Sequence, residues 1–248
     1  MARTISTTAT DLREIALGSD DARGYFAAMY ARVTGRIETA IGDGRFSDGD
    51  RMEQFACAFA DYYLLAANGT VTPPACWNAA WDVSGDRSLL IAQHLLLGIN
   101  AHVNHDLALT VVEMAAERGD IGSIRPDFNA VNEILAETYA DMVDDLGRVS
   151  RWAVAASALG GGDAFGFSLQ IAREQAWQAA LAMHRLDDTG LRAYQAELDR
   201  LVTVLAHIIV SPHRLARPVI WLARRFENRD SRAVVRQLLG ETDPPIGD

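Results

Sequence analysis

Residues Leu89 to Leu109 read LLIAQHLLLGINAHVNHDLAL, and this stretch decides the fold. Drawn as a helix it is apolar on every side, and a helix apolar all round is one that others surround. The expectation is an all-α, single-domain bundle of about eight to ten helices around a long buried central helix over about 87–118. Into this run the sequence places His94, Asn100, His102, Asn104, His105 and Asp106. An unpaired polar group in a core costs about 1–3 kcal/mol. These side chains must therefore satisfy one another or border a cavity, and their density points to a cavity.

Helical geometry sorts them. At about 100° per residue, His102 and Asp106 share a face one turn apart. Asn100 and Asn104 lie almost opposite, and His94 with His105 falls on a third line, so the six cannot meet at one point. A carboxylate one turn from an imidazole orients and charges it, which makes His102–Asp106 the pair best placed for acid–base chemistry. Asn100 and Asn104 read as clamps to neighbouring helices or as groups that polarise a substrate. His94 reads as a core or substrate-contacting histidine, and His105 falls nearer the helix surface.

Working outward, further helices are expected at about 21–42, 48–68, 74–82, 127–149, 151–159, 164–186, 189–210, 214–227 and 230–240. Gly42-Asp43-Gly44, Asn68-Gly69, Pro73-Pro74, Gly119-Asp120, Pro126 and Gly160-Gly161-Gly162 separate them. Ser47, Asp127 and Asp188 stand where N-caps belong. No repeat, sustained heptad or linker divides the chain, so residues 1–248 read as one domain with flexible ends at 1–20 and 241–248.

Composition narrows the chemistry. The 248 residues carry a formal net charge of −10, a poor balance for binding nucleic acid. The arginines between Arg214 and Arg236 read as a solvated face or a site for an acidic partner. All 23 basic residues are arginine, which excludes a Walker lysine, a Schiff-base lysine and pyridoxal chemistry. The glycine triplet does not match a dinucleotide fingerprint. Cys57 and Cys76 are too few for a cysteine-rich zinc site and read as reduced thiols. Met1 to Thr8 lacks a signal-peptide apolar stretch, and the apolar segments are broken by His, Asn or Asp, so a cytoplasmic protein off the membrane is expected.

The stretch His94-Leu-Leu-Leu-Gly98-Ile-Asn100-Ala101-His102-Val-Asn104-His-Asp106-Leu107 resembles the H-x(3)-G-x-N-A-H-x-N-x-D-L signature of domain-of-unknown-function family 5995. Phe59-Ala60-Asp61-Tyr62-Tyr63, Pro74-x-x-Trp77, Asp127-Phe128 with Asn132, and Arg173-x-x-Ala176-Trp177 are similar to further pieces of that family, over most of 25–185. The resemblance implies a helical fold and no particular reaction. His105 stands where the signature is free.

The residues then point to an enzyme that takes a small, largely apolar substrate between helices. His102 acts as general acid or base, Asp106 orients it, and Arg173 with Asn100 or Asn104 polarises the substrate. Tyr62, Tyr63, Trp77, Trp81 and Trp177 supply an aromatic wall, with His94 among the contacts. Cyclisation, isomerisation, elimination and hydrolysis remain open, with no cofactor. One alternative is a metal-dependent hydrolase on the same helix, whose zinc ligands His94, His102 and Asp106 converge only if the helix bends. The other is a non-catalytic binding or scaffold protein with a structural polar patch.

Overall fold

Thr4 begins the first helix. Its hydroxyl accepts from the Thr7 N–H while the Thr7 hydroxyl accepts from the Thr4 N–H, a capping box. This helix, α1 (Ile5–Gly18), precedes the first one expected from periodicity. Its inward face is Ile5, Thr8, Leu12 and Ala16, where one polar and one small residue blur the apolar stripe. It packs along α2 (Arg23–Gly42).

The computed structural model describes residues 3–118, 120–149, 162–211 and 217–241. After α2 come α3 (Gly49–Ala67), α4 (Ala75–Trp81), α5 (Ile91–Ala101), a π-helical turn (His102–Asp106) and α6 (Leu107–Arg118). A 3-10 turn (Ile121–Ile124) leads into α7 (Arg125–Val149), followed by α8 (Gly162–Met183), α9 (Asp188–Val210), α10 (Arg217–Arg224) and α11 (Ser231–Leu238). The expected all-α class holds, with no strand among the described residues. The helix expected over 151–159 and the first two glycines of the Gly160 triplet lie outside them.

Local chemistry moves several boundaries. Asp86 accepts from the Ser88 N–H, a turn that delays the central helix from 87 to Ile91. Asp48 rather than Ser47 caps α3, and Asp187 rather than Asp188 caps α9. Asp127 sits inside the first turn of α7 and accepts from the Ser47 N–H and from Arg51, tying α7 to the start of α3.

Two apolar clusters make the core, and the central helix passes from one to the other. Ile91, Leu95, Leu97 and Ala101 of α5 pack with Phe26, Tyr63, Trp77, Val202 and Leu238. Leu107, Val111, Met114 and Ala115 of α6 pack with Ile37, Phe55, Phe128, Ile134 and Trp177. The run 91–116 is long and apolar enough to cross a membrane by length and composition, despite its polar interruptions, and most of it is buried in the bundle.

Side-chain amides clamp this axis to α9. The Gln93 amide donates to the Ile209 carbonyl at 2.7 Å, and the Asn100 amide donates to the Val202 carbonyl at 2.9 Å. On the opposite flank α2 comes close enough that a Cβ on Gly98 would stand 2.4–2.7 Å from three carbon atoms of Phe26. Gly98→Ala is therefore expected to destabilise the fold by about 1–3 kcal/mol, the usual cost of overpacking. Chemical denaturation reads this directly, and an unchanged midpoint would mean that α2 yields freely.

Candidate functional site

The site begins with a fault in the helix ladder. The Leu107 N–H bonds back to the His102 carbonyl, five residues earlier, so His102–Asp106 forms one π-helical turn. Such single turns insert a residue into an α-helix and change which side chains share a face. In a regular helix His105 points away from the His102–Asp106 face; here it is 6 % exposed and bonds the same carboxylate. The expectation that His105 lies nearer the surface is corrected by this turn.

Asp106 is the hub and is 1 % exposed. Its Oδ2 lies 3.0 Å from His102 Nδ1 and accepts from the Trp77 indole N–H at 2.9 Å. Its Oδ1 lies 2.8 Å from His105 Nδ1. A carboxylate only accepts, so Nδ1 is the protonated nitrogen of both rings. Burial alone would raise the Asp106 carboxyl, but the bonds from His102 and His105 prevail and hold it below its ordinary 3.8.

That assignment leaves His102 Nε2 with a lone pair, and this atom is buried without a hydrogen-bond partner. Rings close around it. Between ring centres, Phe59 stacks on the imidazole at 3.7 Å and 11°, Tyr30 lies at 4.5 Å, Phe26 edge-on at 5.6 Å and the tilted Trp77 ring at 6.3 Å. Burial outweighs the neighbouring carboxylate and lowers His102 below 6.5, so the ring is neutral. A neutral imidazole, fixed at one nitrogen and free at the other, is the form that accepts a proton.

A model of the family of unknown function DUF5995 matches residues 5–212. The chain belongs to that family. No curated protein and no solved structure matches it. For this DUF5995 protein the chemistry must accordingly be argued from its own side chains.

Several residues singled out in the sequence do not join His102. Asn100 holds α9 and in turn accepts from the Asn104 amide at 2.9 Å, so the two form a clamp. His94 stands edge-on to Tyr25 and bonds the Asp86 backbone, so it does not share ligands with His102 and Asp106. Tyr63 and Trp81 pack on Trp77, whereas the Tyr62 hydroxyl donates to Glu113 and Trp177 belongs to the second cluster with Phe128.

Arg173 also belongs to that second cluster. Its guanidinium donates to Asn132 Oδ1 and to the Phe128 carbonyl, both at 2.7 Å, and lies 4.3 Å from the Phe128 ring centre. The expected place beside His102, polarising a substrate with Asn100 or Asn104, is not the one it takes, and it is Arg125 that lies over Trp177. Burial, with the Arg125 charge, lowers Arg173 to about 9. A small cleft beside this cluster is lined by Arg51, Met52, Phe55, Ile124, Asp127 and Phe128.

Sequence reasoning missed Phe26, Tyr30 and Phe59 as walls of the His102 box, and it missed the bond from the Cys76 N–H to the Asp199 carboxylate. Phe59 was within reach, since it opens a segment that resembles the family. Cys76 and Asp199 carry no local signal of their connection, because they are 123 positions apart.

The two buried histidines set a pH dependence. Burial lowers His94 as it does His102, so the folded protein keeps both neutral where the unfolded chain, at about 6.5, begins to protonate. The stability they confer is full above that value and is lost as pH falls through it towards the folded-state values. The urea midpoint is expected to drop below pH 6.5, at no more than about 1.4 kcal/mol per pH unit per histidine. His102→Gln should make that slope shallower; equal slopes would show that His102 is protonated in the fold.

Proposed function

We propose that this DUF5995 protein is a small-molecule enzyme that works by proton transfer at His102. The Nε2 atom takes a proton from a planar, largely apolar substrate and returns it, while Asp106 holds the ring and stabilises the imidazolium. The observation that carries this reading is the His102 Nε2 atom, buried in aromatic rings without a partner while Nδ1 is tied to Asp106. Leaving such an atom unpaired costs about 1–3 kcal/mol, a cost that a purely structural histidine has no reason to carry. Phe59, half-buried and parallel to the imidazole, occupies the place of a planar substrate, so substrate binding swings that ring aside. Isomerisation, cyclisation and elimination fit a single base in an apolar box.

One specific observation favours a structural role instead: Trp77, His105, Asn100 and Asn104 all find partners inside the protein. A generic carbon acid separates the two readings. Base removal of the ring C–H proton of 5-nitrobenzisoxazole breaks the N–O bond and releases a coloured phenolate. Turnover that depends on His102 supports proton transfer. Turnover that is equal in the wild type and His102→Gln overturns it.

A further inference from the structure

Beside the His102 box lies a second cluster that uses the other side of Asp106. Helix α4 delivers two neighbours to it: the Trp77 indole reaches Asp106, and the Cys76 thiol lies with His105 and Asp199. One ligand atom from each of Cys76, His105 and Asp199 falls within 4.8 Å of the others. Cys76 and His105 are buried, and Asp199 is half-buried.

We infer that Cys76, His105 and Asp199 form a three-ligand site for a thiophilic divalent cation of the zinc type, with Asp106 supporting His105 from behind. Four features point there. Thiolate, imidazole and carboxylate are the donor types zinc takes, and three protein ligands leave a fourth position for water or a substrate. The charges match, since one thiolate and one carboxylate offset a divalent cation.

The third feature is the tautomer. A histidine ligand typically donates its other ring N–H to a carboxylate, which orients the ring and raises its basicity. His105 makes that bond, Nδ1 to Asp106 Oδ1 at 2.8 Å, and so keeps the Nε2 lone pair for the cation. The fourth is that Asp199 is fixed before any ion arrives: its two oxygens accept from the backbone N–H groups of Ala75 and Cys76 at 2.9 and 2.8 Å. One of these oxygens also accepts from the Cys76 thiol, so its further lone pair becomes free for the cation when that proton leaves. Binding exchanges the Cys76 thiol proton, released to solvent, for the metal.

The test uses the full chain and no substrate. Chelator-treated protein titrated with Co²⁺ should gain thiolate-to-cobalt charge-transfer absorption in the near ultraviolet, saturating at one equivalent and displaced by Zn²⁺. Cys76→Ser should abolish the band. Asp199→Asn should weaken the affinity by more than the roughly 10–100-fold that follows loss of a carboxylate behind a ligand. Zn²⁺ should raise the melting temperature of the wild type and leave that of Cys76→Ser unchanged. Circular dichroism of the metal-free variants checks that they are folded. Absence of the band in wild type, or a band undiminished in Cys76→Ser, overturns the site; the latter would place the cobalt at Cys57. His102→Gln should keep the band, so failure here and failure of proton transfer are distinguishable.

Discussion

His102→Gln is expected to slow the elimination of 5-nitrobenzisoxazole by roughly 10²–10⁴-fold, the usual contribution of a positioned acid or base. The glutamine amide can still donate to Asp106, so Trp77 and His105 keep their shared acceptor. What disappears is the titrating lone pair and the ring face against Phe59. Stability should therefore change by only about 1–2 kcal/mol, because no donor is stranded. The combination is diagnostic. A histidine that merely pins the core would show the reverse, with its main effect on the melting temperature and none on turnover. The pH–rate profile adds a second reading: the wild-type rate should fall only below pH 6.5, because burial lowers the imidazole.

The largest stability effect is expected at the hub itself. Asp106→Leu removes the acceptor of three N–H donors inside a closed site, and we expect a loss of about 3–5 kcal/mol. The histidines can change tautomer and turn lone pairs inwards, but the Trp77 indole is a donor only and stays stranded. For a chain of this size that loss corresponds to roughly 10–15 °C in melting temperature. Asp106→Asn should be much milder. Its amide oxygen can take the Oδ2 partners His102 and Trp77, while its NH₂ meets His105. His105 then accepts at Nδ1 and carries its proton on Nε2, so the same mild variant should also lose cobalt affinity. If Asp106→Leu melts like the wild type, the three bonds contribute nothing to the fold.

How much of this was legible beforehand depends on the range of each signal. The central helix was legible because all-round apolarity is a property of consecutive residues. The His102–Asp106 pair was legible because a four-residue spacing reports a shared face. The position of His105 was not, since it requires a π turn, and packing against the surrounding helices decides whether one forms. Arg173 is expected to polarise a substrate beside His102, and its own segment carries no signal of a different partner. The fold instead gives it two neutral oxygens and the face of Phe128, all supplied by α7. Helix α1 is hard to read because two of its buried positions hold Thr8, which is polar, and Ala16, which is small.

The π turn has a mechanical meaning as well. The central helix resembles a screw cut in two lengths, one threaded into the α2–α4–α9 side and the other into the α7–α8 side, with the threads out of phase by one residue. Winding that turn as ordinary α-helix with every residue kept would rotate everything beyond by about 100°. Leu107 and Val111, both fully buried, would then leave their sockets. Asp106 stands at the joint between the two lengths, tied to each histidine of the turn and to Trp77 of the first side. Any slip of one half of the bundle against the other is felt there as a change in the length of a hydrogen bond.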